Sequence, residues 1–196
     1  MSEVGIHLCI LAAGASRRFG ATKQLYPISG QPMVLHAYNC INHASVVSKS
    51  LVLGANIEDI CGQIPSHINV IVSNDWQLGL SASIGAAVEA MRDDTSHLML
   101  ALADQISIQS GDFQRLINAC LKYPDSVIAS TYAGNRGVPA IFPRAYAKKL
   151  MNLTGDKGAS HLLGAMESVI EVYIPQALID IDTPDDLQKL KNTKQC

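Results

Sequence analysis

The sequence is short of aromatic residues, of charge and of any excess of one sign. Aromatics make up 5% of its 196 residues and charged residues 16%, so there is no interleaved basic and aromatic surface of the kind that single-stranded nucleic acid needs. The 15 basic residues against 17 acidic ones leave a net charge of −2. Apart from the adjacent pairs Arg17–Arg18 and Lys148–Lys149 the basic residues are scattered, which argues against polynucleotide binding. Cysteine is odd in number and widely spaced, at Cys9, Cys40, Cys61, Cys120 and Cys196, without a C-x-x-C pair. That spacing points neither to a disulfide framework nor to a zinc site; Cys9 and Cys120 lie in apolar runs and read as buried thiols. No segment approaches the roughly 18 apolar residues of a membrane span. The first residues, MSEVGIHL, carry Glu3 and no basic stretch ahead of an apolar run. The expectation is a soluble, cytoplasmic protein with no membrane partner.

What the chain does have is a 48% hydrophobic composition, enough for one good core, and a length that fits one domain over 1–196. Apolar runs near 5–11, 50–54, 68–73 and 97–102 alternate with amphipathic stretches near 31–43, 56–63, 81–92 and 111–122. That βαβα rhythm predicts an α/β fold with three layers, a mostly parallel sheet between helices. Beyond 125 the rhythm changes. Runs at 126–132 and 137–142 flank a turn-rich segment and predict an antiparallel pair, which makes the sheet mixed. Helical stretches near 144–152 and 158–167, strand-like runs at 169–174 and 178–182, and a last helix opened by Thr183 and Pro184 complete the reading.

The first strand runs straight into LAAGASRRFGATK, from Leu11 to Lys23. Small residues at Ala12, Ala13 and Gly14 let a ligand approach the backbone, and Arg17, Arg18 and Lys23 add three cations. Backbone N–H groups with positive charge suit a triphosphate, at the place where open α/β sheets bind nucleotides. The loop is not a Walker A loop, since Ala21 and Thr22 follow Gly20, and it is not the dinucleotide fingerprint, since Ala15 and Ser16 follow Gly14. Hydride transfer is therefore disfavoured. The competing reading is a basic surface turn.

The loop resembles the A-A-G-x-S-x-R-x-G-x-x-K signature of nucleotidyltransferases, specifically the molybdenum cofactor cytidylyltransferase branch of the MobA-like NTP transferase superfamily. Four later segments resemble that family in the same order: QLGLSASI at 77–84, LADQ at 102–105, GNRGVPAIF at 134–142 and DIDTPDDL at 180–187. The resemblance implies a Rossmann-like nucleotidyltransferase fold and transfer of CMP from CTP to molybdenum cofactor, a molybdopterin-type acceptor, with release of pyrophosphate. It also implies handover of the product to a molybdenum hydroxylase apoenzyme.

Asp104 follows an apolar strand, where a carboxylate is well placed for Mg²⁺. A turn or capping aspartate is the alternative. The resemblance implies the metal role, although Ile106 stands where the family has proline. Asp180 and Asp182 alternate with Ile179 and Ile181, so a strand here puts both carboxylates on one side. By resemblance Asp182 is the second metal ligand, with capping of the last helix as the alternative. Arg18 and Lys23 are expected to stabilise the leaving pyrophosphate, with Asp104 completing the catalytic set.

The nucleotide itself is expected to touch Leu11, Ala12, Ala13, Gly14, Arg18 and Lys23, together with Gly79, Ser81 and Ser83 near a helix start, with Ser81 a candidate N-cap. Guanylyl-transferring relatives carry glycine where this chain has Ala13, so the resemblance implies a pyrimidine. Gly137, Pro139 and Asp156 are the expected acceptor contacts. In those segments Val138 and Ser160 replace a histidine and an arginine that suit an anionic pterin phosphate, with Lys157 or His161 as compensating groups. The other histidines, His7, His36, His43, His67 and His97, show no metal-ligand spacing. The alternatives are nucleotidyl transfer to a sugar phosphate or alcohol phosphate, and a cofactor or nucleotide carrier without turnover.

Overall fold

A computed structural model describes residues 4–156 and 158–193. The strands are β1 (Ile6–Leu11), β2 (Pro27–Ile28), β3 (Gln31–Pro32), β4 (Val46–Leu53), β5 (Asn69–Val72), β6 (His97–Leu102), β7 (Ile128–Tyr132), β8 (Asn135–Pro143) and β9 (Ile170–Tyr173). The helices are α1 (Met33–Asn39), α2 (Ile57–Cys61), α3 (Leu80–Glu89), α4 (Ser110–Lys122), α5 (Ala147–Met151), α6 (Gly158–Ala165) and α7 (Pro184–Thr193). Seven strands form one sheet in the order β5-β4-β1-β6-β8-β7-β9, while β2 and β3 make a small separate ribbon. All pairings in the large sheet are parallel except those of β8 with β6 and β7. The expected mixed, mostly parallel sheet and its hairpin are therefore present.

Every residue of β1 is buried, as a central parallel strand covered on both faces requires. Its alternation sends Ile6, Leu8 and Ile10 into one core, shared with Ile60 of α2 and Phe113, Leu116 and Ile117 of α4. Cys9 and Leu11 enter the opposite core with Ile84 and Ala87 of α3, Leu150 of α5 and Leu163 of α6. Two apolar layers thus clamp the sheet. Because the chain passes from β1 to β4 and β5 on one side and then crosses to β6 on the other, the order reverses beside β1. The carboxyl ends of β1 and β6 frame the crevice that this reversal leaves.

A third, smaller cluster decides the site. Phe19 from the first loop, Met33, Ile181 and Leu187 are buried together, with Tyr26, Ile28 and Ile106 packed against them, and Phe19 meets Tyr26 edge to face at 5.5 Å. Ile181 is fully buried, a contribution of about 1.5–3 kcal/mol by area. It pins a segment far along the chain beneath the first loop.

Two expectations about elements need correction. The run 178–182 is not a strand: Pro175–Leu178 forms a 3-10 turn and the chain then runs irregularly to α7. The alternation of Ile and Asp reflects the burial of Ile181 alone, since Ile179 is exposed. Nor is Ser81 an N-cap; Gly79 holds that position and Ser81 lies inside α3. Thr183 does stand at the start of α7, where Asp186 accepts from its N–H at 2.8 Å and its hydroxyl at 2.8 Å.

Candidate active site

The loop after β1 lines a cleft of about 530 Å³ together with Trp76, Gln77, Gly79, Leu80, Ser83, Asp104 and Asp156. Of the residues expected at the nucleotide, Leu11, Ala12, Ala13, Gly14, Arg18, Lys23, Gly79 and Ser83 all stand on its wall. Ser81 does not. It faces a neighbouring cavity of about 530 Å³ on the other side of α3 with Ser73, Asn74 and Glu89. Successive helical residues point about 100° apart, which separates two serines two positions from each other.

Gly79 is required by geometry. Its φ is +105°, and a Cβ there would meet the Gly155 carbonyl carbon at 2.7 Å as well as the Asp156 carboxylate. This close approach brings Asp156 to the cleft.

Lys23 opens a short 3-10 turn, and its ammonium sits in a cage of oxygens. Nζ donates to Asp104 Oδ2 at 2.7 Å, to the Ile181 carbonyl at 2.8 Å and to Asp182 Oδ1 at 3.2 Å. Arg18 Nη2 meets Asp182 Oδ2 at 2.8 Å. Four groups separated by up to 164 positions, from Arg18 to Asp182, thus converge at one point. The capping alternative for Asp182 is not realised, because Asp186 takes the α7 start and Asp182 faces the cations. Lys23 and Asp104 are recessed, at 14% and 20% side-chain exposure, whereas Arg18 is 74% exposed. The recessed pair lies at the base of the site and the arginine at its solvent edge. Beside them, Asp180 is pushed up to about 6, first by desolvation and then by repulsion from the Asp104 carboxylate, even though part of the residue meets solvent.

The fit of a divalent metal can be read from Asp104. Its Oδ2 is held by Lys23, while Oδ1 is buried and without a hydrogen-bond partner. A buried carboxylate oxygen left unpaired costs free energy unless a ligand takes it. Among the described residues no group of three or more His, Cys, Asp or Glu gathers to hold a metal. Magnesium-like ions need no such cage: they use one or two carboxylates and fill the remaining positions with phosphate oxygens and water. Asp104 and Asp182 fit that donor set.

The acceptor expectations divide. Asp156 is on the cleft. Gly137 and Pro139 are buried in β8 and away from the cleft wall; a Cβ on Gly137 would strike the Tyr132 hydroxyl, and the Pro139 carbonyl accepts from Ser130 Oγ at 2.7 Å. They set the β7–β8 hairpin. His161 is exposed and Lys157 lies outside the described residues. Of the remaining histidines, four are engaged structurally, His7 with Ser50 Oγ at 2.8 Å, His97 with the Pro124 carbonyl at 2.8 Å, His36 with the Ile106 carbonyl and His43 with the Ser45 N–H, while His67 is exposed.

Among the cleft residues that sequence reasoning missed, two stand out. Gln24 is buried under the loop and bonded to it; its only signal in the sequence is its place next to Lys23. Trp76 lines the cleft and packs so closely on Gly54 that a Cβ there would come within 2.6 Å of it. It is the single tryptophan.

A small-residue loop with cations, closed on a carboxylate pair at the reversal point of a mostly parallel sheet, defines the class of nucleotidyltransferases. The MobA-like NTP transferase domain matches residues 8–169, and the chain belongs to that family. It is 25% identical to nicotine blue oxidoreductase of Paenarthrobacter nicotinovorans, with 92% of this chain and 94% of that protein covered. It is 23% identical to the molybdenum cofactor guanylyltransferase of Shewanella piezotolerans, covering 98% of each. Rv0371c of Mycobacterium tuberculosis H37Rv superposes with a TM-score of 0.84 at 26% identity, over 97% of this chain and 98% of that one. The same protein in complex with manganese superposes at 0.77, with 24% identity over 95% of this chain and 98% of that one. No helix among the described residues is long and apolar enough to cross a membrane.

Proposed function

We propose that this protein, acting as one domain over 1–196, is a Mg²⁺-dependent cytidylyltransferase that joins CMP from CTP to the terminal phosphate of molybdenum cofactor. The observation that carries the reading is the meeting of Lys23 and Arg18 with Asp104 and Asp182 at the mouth of the loop cleft. An acceptor phosphate oxygen attacks the α-phosphorus in line and forms the new P–O bond. The bond between the α-phosphorus and its bridging oxygen breaks, and pyrophosphate leaves with the electron pair. Bound Mg²⁺ supplies charge neutralisation at the phosphates, held by Asp104 and Asp182. Lys23 and Arg18 bind the β- and γ-phosphates, where negative charge accumulates on the leaving group. The small-residue loop lets the nucleotide lie against backbone, Ser83 reads the base edge, and Asp156 borders the acceptor.

The guanylyltransferase name of the Shewanella relative supports a molybdopterin-type acceptor, and Ala13 in place of a loop glycine supports a pyrimidine. The manganese complex of Rv0371c supports a divalent ion. The product goes to a molybdenum hydroxylase apoenzyme in the cytoplasm. The oxidoreductase name of the Paenarthrobacter relative makes a redox activity the rival reading, although the loop lacks a dinucleotide fingerprint.

The test is pyrophosphate release from CTP, GTP, ATP or UTP with Mg²⁺, with and without molybdenum cofactor, alongside NADH and NADPH oxidation. Release only with CTP and cofactor is expected. Release only with a sugar phosphate or alcohol phosphate replaces the acceptor, tight CTP binding without release makes the protein a carrier, and nicotinamide oxidation without pyrophosphate sinks the transferase reading.

A further inference from the structure

The amide of Gln24 is almost wholly buried, at 2% exposure, and all its bonding capacity faces the phosphate loop. Nε2 donates to the Ala12 carbonyl at 2.9 Å and to the Gly14 carbonyl at 2.7 Å, while Oε1 accepts from Ser16 Oγ at 3.0 Å. One side chain therefore ties three loop residues. The carbonyl between the two, that of Ala13, is taken separately by the Ala55 N–H at 2.9 Å, and the Ala12 N–H by Val52 at the same distance.

These bonds orient peptide planes. In a trans peptide the C=O of one residue and the N–H of the next point in opposite directions. With the Ala12 and Gly14 carbonyls drawn down onto Gln24, the N–H groups of Ala13 and Ala15 are turned away from it, and both residues line the cleft. Among the described residues the N–H groups of Ala13, Gly14 and Ala15 have no protein partner. Ser16, which receives the third tie, holds a left-handed φ of +56°, a conformation costly for a residue with a Cβ unless its surroundings enforce it. Gly14, Ala15 and Ser16 are not buried and have little side-chain packing with which to hold such a shape by themselves. The amide beneath supplies it.

We propose that Gln24 is a positioning residue for nucleotide binding: it fixes the peptide planes of Ala12 to Ser16 so that loop N–H groups face the phosphates before the nucleotide arrives. This rests on the nucleotidyltransferase reading above. Gln24 does not touch the nucleotide; its effect passes through the loop backbone. Preorganised donors bind an anion without the cost of ordering the loop. The preference is for an amide: a carboxylate at 24 would set oxygen against two carbonyl oxygens, and a thioether fills the space but donates nothing.

The test is binding of CTP with Mg²⁺ in the absence of any acceptor, followed by fluorescence of the single tryptophan, Trp76, and by calorimetry. For Gln24→Met the expected result is a Kd for CTP raised about 100-fold, the size of three lost neutral hydrogen bonds. Gln24→Glu should lose at least as much. Ser16→Ala removes only the third tie and should lose about fivefold, the effect of one such bond. In turnover the KM for nucleotide should rise in Gln24→Met while the KM for the acceptor stays unchanged, a split that general loosening of the fold would not give. Unchanged CTP affinity in a folded Gln24→Met overturns the proposal, as does equal loss in both KM values. Should Gln24→Met not fold, Gln24→Glu and Ser16→Ala decide it by the same measurements. Wild-type protein that binds no nucleoside triphosphate overturns the transferase reading, whereas wild-type binding with unaffected variants overturns the role of Gln24 alone.

Discussion

At Lys23 one ammonium serves two sets of oxygens. Without nucleotide it closes on Asp104, Asp182 and the Ile181 carbonyl, and Arg18 completes the neutralisation of Asp182. Two carboxylates facing two cations offer a divalent ion little net attraction, so a metal gains most by arriving with a triphosphate that draws the cations away. Replacing Lys23 by Met should therefore tighten Mn²⁺ binding to the free protein, read by electron paramagnetic resonance, while kcat/KM falls by about 100-fold, near 3 kcal/mol of transition-state charge stabilisation. Tighter metal with lower turnover is a combination that simple damage to the site would not produce. Arg18 tests the opposite limit. Its exposed ion pair contributes about 0.5 kcal/mol or less to folding, so Arg18→Ala should unfold at nearly the wild-type denaturant midpoint and yet lose CTP turnover. Asp104→Ala should abolish metal-dependent turnover; full activity in that variant would remove Asp104 from the metal site.

At the scale of elements, the start of α3 depends on Gly79. A side chain there would need a φ of +105° and would press on the 155–156 turn, so Gly79→Ala should cost about 1–3 kcal/mol in chemical denaturation. Nucleotide KM should rise with it, because Ser83 on α3 and Asp156 on the turn move together. The strands were legible because β1, β6 and the second half of β4 are runs of mostly apolar residues buried on both faces, a pattern visible along the chain. β4 nevertheless begins at Val46 and not at 50, since Val46, Val47, Ser48 and Lys49 form a mixed strand end, half-buried except for the exposed Val47, with no contrast to mark it. The run 178–182 misled for a different reason: period-two alternation looks the same whether a ladder or a single buried isoleucine produces it. At that place β9 already takes the free side of β7, as the outermost strand of the sheet.

For the molecule as a whole, His7 couples stability to pH. Its ring is buried in β1, bonded to Ser50, and its pKa is lowered, first by desolvation and then by Arg92, with Asp94 acting in the opposite sense. The unfolded chain therefore binds the proton more readily than the folded one. The contribution is complete above the ordinary histidine value of about 6.5 and is lost as pH falls through the lower folded value. Denaturant unfolding at pH 7.5 and 5.5 should show a loss of stability in wild type that is smaller in His7→Gln. Thiol chemistry reports the same packing. Burial pushes Cys9 up to about 12 and Cys120 up to about 11, while Cys61 is exposed, so a thiol reagent should label Cys61 in the native state and reach Cys9 and Cys120 only on unfolding.

Local periodicity and contiguous motifs were enough to read the layered α/β architecture and the small-residue loop with its cations, because both are written in neighbouring residues. Asp104 belongs with them, since a carboxylate just beyond a buried strand reaches the sheet edge whatever the rest of the chain does. Folding alone brings Asp182 to Arg18 and Lys23, turns Ser81 and Ser83 to different cavities, keeps Gly137 and Pro139 in a hairpin away from the cleft and places Gln24 beneath the loop. Each of these depends on a contact or a side-chain direction set across the fold, by the burial of Ile181 under Phe19, the rotation of α3 on the sheet and the pairing of β7 with β8. Such packing joins residues by three-dimensional distance, which spacing along the chain does not encode.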